Sequence, residues 1–199
     1  MDRDWFDYTV EELKQFDAGY HFTKDKGKNY PFRGKNISFM TVEEVLHTFP
    51  SQKFNIDLKD KNPAQVKYWA ELIKKFNAEY RVLTASQFTE NLIEVRKVFP
   101  KMATSFSAGE VFKFYIVNKF GRLKTKKFDA DAFQIPIRLG PFHLIKPKFV
   151  QNAHKFGYKI HVWTINEQEK MKELLDLGVD AIFTDNPRLL KPVLEEKFG

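Results

Sequence analysis

The run FNIDLKD, residues 54–60, alternates two kinds of side chain. Successive strand residues point to opposite faces, so Asn55, Asp57 and Lys59 share one face and Phe54, Ile56 and Leu58 the other. The apolar set suits packing against helices. The polar set must then point into a sheet interior or toward its mouth, where an aspartate and a lysine are costly unless paired, metal-bound or solvated. An edge strand whose polar face meets water would give the same pattern. A second run, YKIHVWTIN (158–166), sets His161, Trp163 and Ile165 on one face. A tryptophan near the C-terminal end of a parallel strand can wall a ligand pocket, and it can equally fill a core. His161 lies deeper and reads as a hydrogen-bonded interior residue. Asp185 ends a third run, DAIFTD (180–185), directly before Asn186-Pro187. Helix capping and turn formation account for it as well as catalysis would.

Other chemistry is thin. There is no P-loop, dinucleotide-binding glycine motif, nucleophile elbow, HExxH or EF-hand pattern. The five histidines (21, 47, 143, 154 and 161) lack ligand spacing, and the absence of cysteine excludes disulfides and thiolate metal sites. The formal charge of +7 fits either attraction to phosphate-bearing partners or a solvated lysine-rich surface. With the lysines dispersed among 26 acids, the solvated surface is the expectation, and no nucleic-acid partner is expected. The 21 phenylalanines fall mostly at core spacing and read as packing rather than base-stacking platforms. No apolar run is long enough to span a membrane, and the acidic N-terminus lacks the order of a secretory signal, so a cytoplasmic location is expected.

The elements that must position these residues recur six times as a short β-type run followed by a helical pattern. The strands are 54–60, 81–86, 101–107, 132–139, 158–166 and 180–185. Asn62-Pro63 opens the first helix, Ser107 and Glu110 form a capping box for the third, which ends near Gly121, and Gly157 and Gly178 close the fourth and fifth. Residues 1–53 differ. TVEELKQF and TVEEVLHTF each begin with a Thr-x-x-Glu capping box and flank a long loop. One domain is expected over residues 1–199, with a helix-loop-helix lead-in (1–53) and six βα units (54–199). A closed barrel of this kind needs eight.

VWTIN followed by GVDAIFTDNP, together with FVQNAHKFGYKI, FQIP, FNIDLK and YPFRGKNISFMTVEEVL, resembles the glycerophosphodiester phosphodiesterases over nearly the whole chain. The resemblance implies a parallel (β/α) TIM-type barrel, here incomplete, with about six of eight strands and the first two missing. It implies metal-dependent hydrolysis of a glycerophosphodiester to glycerol 3-phosphate and an alcohol, in lipid metabolism. The implied cofactor is a divalent cation, Mg or Ca. Residue by residue, Asp57 matches a metal-binding carboxylate, although the family normally has glutamate there. Lys59 matches a lysine that would stabilise phosphoryl oxygens, and Trp163 a substrate-binding tryptophan near the glycerol end. The family's His-Arg-Gly, Glu-x-Asp and His-Asp motifs are absent from these 199 residues. The expectation is therefore a truncated chain with little or no hydrolytic activity alone. The alternative is a non-catalytic remnant that binds phosphoesters or a partner. Open sheet edges would also make it prone to self-association, poorly soluble, or capped by its first 53 residues.

Overall fold

The structure is a computed structural model, and it describes residues 7–119 and 128–199. The chain divides into two compact units, Met1–Gln52 and Lys53–Gly199.

In the first unit, α1 (Val10–Leu13) and α2 (Val42–Thr48) both carry the expected capping boxes, Thr9 with Glu12 and Thr41 with Glu44. The first helix is only one turn long. After Lys14 the backbone bonds tighten from Lys14 N–H to Val10 O, to Gln15 N–H to Glu12 O, and the chain turns away. The intervening loop is organised by Asp17, whose carboxylate accepts the backbone N–H groups of Gly19, Gly34 and Ile37. Burial would raise its pKa, but those bonds hold it below 3.8. Arg33 stacks over Tyr20 and Tyr30, 4.5 and 3.7 Å from the ring centroids.

The second unit is built on parallel strands. β1 (Phe54–Asp57) pairs with β2 (Val82–Ala85), with Asp57 level with Ala85. The third expected strand, 101–107, makes only isolated bridges, Thr84 to Thr104 and Ser105 to Ala132. Side chains take the groups a longer ladder would use: the Asp131 carboxylate accepts the Thr104 N–H, and Arg96 donates to the Ser105 carbonyl. These bridges lead into a second sheet in the order β3 (Ala132–Pro136), β6 (Lys159–Trp163), β7 (Ala181–Ile182), all parallel. Strand 132–139 is not continuous. It stops at Pro136, which has no N–H for the ladder. An antiparallel hairpin follows, β4 (Arg138–Leu139) with β5 (Phe142–His143), turned by Gly140 at φ 56°.

The helices are α3 (Pro63–Lys75), α4 (Thr89–Val98), α5 (Ala108–Lys119), α6 (Pro147–Lys155), α7 (Gln168–Asp176) and α8 (Pro187–Phe198). The Asn62 side chain caps α3 by accepting the Ala64 N–H, and Ser107 with Glu110 opens α5 as expected. The end expected near Gly121 lies outside the described residues. Gly157 and Gly178 close their helices at φ 79° and 96°. Helix-facing strand residues Phe133, Ile135, Ile160 and Val162 are buried with Phe106, Phe114 and Phe149. Phe106 stacks on Phe133 at 3.8 Å and Phe114 meets it edge-on at 4.7 Å. These phenylalanines are core.

Candidate functional site

With Phe133, Ile135, Ile160 and Val162 turned to the helices, strand alternation sends Gln134, Pro136, His161 and Trp163 to the opposite face. Their registers agree: Gln134 pairs with His161 and Pro136 with Trp163. On β1 the same face carries Asn55 and Asp57. The Gln134 Nε2 donates to Asn55 Oδ1 at 2.5 Å and lies 3.4 Å from His161 Nδ1. Side chains of β1, β3 and β6 therefore meet across the sheet's inner face, which requires strong curvature between them. Burial and the Lys159 charge hold the His161 pKa below its usual value of 6.5 against a counter-pull from Asp180. His161 is thus a half-buried residue beside Gln134, held toward its neutral form.

One pleat above this layer is the rim. Asp57 stands two residues beyond Asn55, and Trp163 two beyond His161, each at the C-terminal end of its strand. Lys59 Nζ is 2.6 Å from Asp57 Oδ2, with the lysine side chain 81% exposed and the aspartate 37%. Trp163 is 44% exposed, so it is not core. Ile56 and Leu58, on the other face, are half-buried and buried. Asp57 and Trp163 thus each end their strands, and Lys59 pairs with Asp57.

The neighbouring rim is polar and self-satisfied. Asn166 donates to Asp185 Oδ2 at 2.8 Å and accepts from Thr184 Oγ1 and the Asp185 N–H. The Asn186 side chain makes no capping bond to α8. Asp185 therefore ties the loops after β6 and β7 together, which explains it without catalysis. Gln134 was not anticipated as a site neighbour, although it is the lone polar residue of AFQIP. Two surface grooves of about 440 and 450 Å³ lie between α3 and α4 and between α4 and α5; neither is lined by Asp57, Lys59 or Trp163.

A hard divalent cation needs several oxygen ligands. Among the described residues no set of three histidine, aspartate or glutamate side chains gathers, and the Asp57 carboxylate is engaged by Lys59. The described residues alone do not fit a cation. What they offer is an exposed ammonium past the end of β1 and an exposed tryptophan at the end of β6. That combination suits an anionic ester with a small polyol portion.

Residues 1–189 match the model of the glycerophosphoryl diester phosphodiesterase family. A probable glycerophosphodiester phosphodiesterase 2 of Mycobacterium tuberculosis is 32% identical over 166 residues, covering 81% of this chain and 62% of its own length. The chain thus spans less than two thirds of that relative. A glycerophosphodiester phosphodiesterase of Caldanaerobacter subterraneus is 28% identical over 191 residues, covering 92% of this chain and 70% of its own. Among solved structures, an Oleispira antarctica phosphodiesterase in complex with the product sn-glycerol-3-phosphate superposes with a TM-score of 0.69. It is 20% identical and covers 96% of this chain and 72% of its own, a likeness of fold.

Proposed function

The chain belongs to the glycerophosphoryl diester phosphodiesterase family, and from that premise we propose that its rim binds a glycerophosphodiester, the class its family hydrolyses to glycerol 3-phosphate and an alcohol. One observation supports this most. The bond joining Asn55 of β1 to Gln134 of β3, with His161 of β6 alongside, supports reading the C-terminal ends of β1 and β6 as one rim that carries Asp57, Lys59 and Trp163. Lys59 would hold the phosphoryl oxygens by charge, leaving Asp57 as they arrive. Trp163 would pack against the glycerol carbons. The described strand positions are, in this reading, six staves of an eight-stave barrel, and residues 1–199 act as one domain of a cytoplasmic protein. Among the described residues no helix is long and apolar enough to cross a membrane.

The family's chemistry is metal-dependent, and Mg or Ca is the proposed cation class, with Asp57 as one ligand. One carboxylate engaged by a lysine does not by itself make a cation site. Protonating the departing alkoxide also needs a general acid. His161 lies a layer below the rim and is tied to Gln134. We therefore propose that the 199-residue chain turns over little or no substrate by itself. Incubating it with glycerophosphocholine and Mg or Ca tests this: choline at background level is expected, and robust choline release overturns it. The alternative reading, a phosphoester-binding domain without turnover, is favoured by the same Lys59 and Trp163 placement. It predicts thermal stabilisation by glycerol 3-phosphate with no product formed.

A further inference from the structure

Leu139 and Phe142 face each other across the β4–β5 hairpin, 66% and 70% exposed, with Gly140-Pro141 at the apex. The base of the hairpin is fixed. Ile137 and Leu144 pack on the core, Leu144 N–H bonds to Ile137 O, Ile145 is buried, and the Tyr115 hydroxyl donates to Leu144 O at 2.7 Å. A rigid base therefore presents an apolar tip that buries nothing in the fold. The tip follows Pro136, which is level with Trp163, so it rises at the same strand end as the rim.

Its chain neighbours are cationic. Residues 136–149 contain Arg138, Lys146, Lys148 and His143 and no acid. Arg138 flanks the tip, and Lys146 and Lys148 stand at the first turn of α6, the helix that follows it. Cations there oppose the helix dipole, so they do not serve the fold. Among the described residues Arg138, Lys146 and Lys148 form no ion pair.

Exposed apolar side chains at an apex, flanked in the chain by cations that form no ion pair among the described residues, match the two layers of a membrane surface, acyl boundary and anionic headgroup. We propose that the β4–β5 hairpin seats this end of the sheet on an anionic lipid surface, with Leu139 and Phe142 inserted and Arg138, Lys146 and Lys148 on the headgroups. The inference rests on the rim reading only for what such docking would serve, namely substrate arriving from a membrane. Lipid binding itself is read without turnover.

The test is sedimentation of the full chain with vesicles of phosphatidylcholine, with and without phosphatidylglycerol. Binding to the phosphatidylglycerol vesicles, weakened by salt, is expected. Joint replacement Leu139→Ser and Phe142→Ser should lower that affinity by about tenfold or more. Neutralising Arg138, Lys146 and Lys148 to Gln should lower it on the order of a hundredfold. Both variants should keep the wild-type thermal transition, because the replaced groups are exposed. Absence of wild-type binding to anionic vesicles overturns the proposal. So does equal binding by all three proteins, or a tip variant that alters self-association in sizing while vesicle binding is nil, which would assign the hairpin to protein contact.

Discussion

Lys59 and Asp57 neutralise one another at 2.6 Å, and that pairing sets what each can do for a ligand. An exposed ion pair contributes little to stability, so the pair is cheap to open when phosphate competes for the ammonium. Asp57→Asn should then tighten binding of glycerol 3-phosphate in metal-free buffer by about two- to fivefold, the size of the released attraction. Calorimetric titration of wild type and variant checks this, and weaker binding by the variant would mean that the aspartate assists the ligand directly. The polar alternation of FNIDLKD made both residues legible in the sequence. It could not say that they would pair, because Lys59 lies past the strand end, where side-chain direction is no longer fixed by the pleat. Trp163 was legible as a residue at a strand end but not as an exposed one.

Two elements outside the rim hold the fold through charge. At the N-terminal ends of β6 and β7, Asp180 accepts His154 Nε2 at 2.7 Å, Lys159 Nζ at 2.9 Å and the Ile160 N–H at 2.9 Å. Burial alone would raise its pKa, yet these donors hold it below 3.8. A depressed folded-state pKa means that the stabilisation is fully present above the unfolded value of about 3.9 and is lost as pH falls through the folded value. Urea midpoints should therefore drop between pH 6 and pH 3 by less in Asp180→Asn than in wild type; equal drops would remove Asp180 from the account. On α4 and α5, Arg96 grips Glu110 Oε1 at 2.6 Å with both side chains mostly buried, while Glu110 also caps α5 through the Ser107 N–H. Glu110→Gln should cost about 2 kcal/mol, read as a shift in denaturant midpoint. The Ser107–Glu110 cap was visible in the sequence because a capping box is local. Arg96 was not, since its partners lie at 104, 105 and 110 and are brought together only by packing. The β4–β5 hairpin was missed for a related reason: IPIRL continues the apolar alternation, and the proline and glycine that break it were outweighed by that pattern.

At the scale of the whole molecule, the order of strand and helix patterns announced a parallel α/β chain, and the family match over residues 1–189 agrees. Net charge was the weaker guide. Reading +7 as evenly dispersed hid the acid-free stretch 132–166, because dispersion was judged over the whole chain. Among the described strands, β1 pairs only with β2 and β7 only with β6, so we propose self-association through free strand edges. Sedimentation velocity should give a weight-average mass that rises with concentration, and a constant monomer mass would contradict this. Recognition of a glycerophosphodiester at the rim requires Lys59 and Trp163 to serve one ligand. Calorimetric titration of glycerol 3-phosphate into wild type, Lys59→Ala and Trp163→Ala tests it most directly. Saturable binding by wild type, weakened about tenfold or more in each variant, is the predicted result; no wild-type binding, or binding that neither replacement changes, would contradict it.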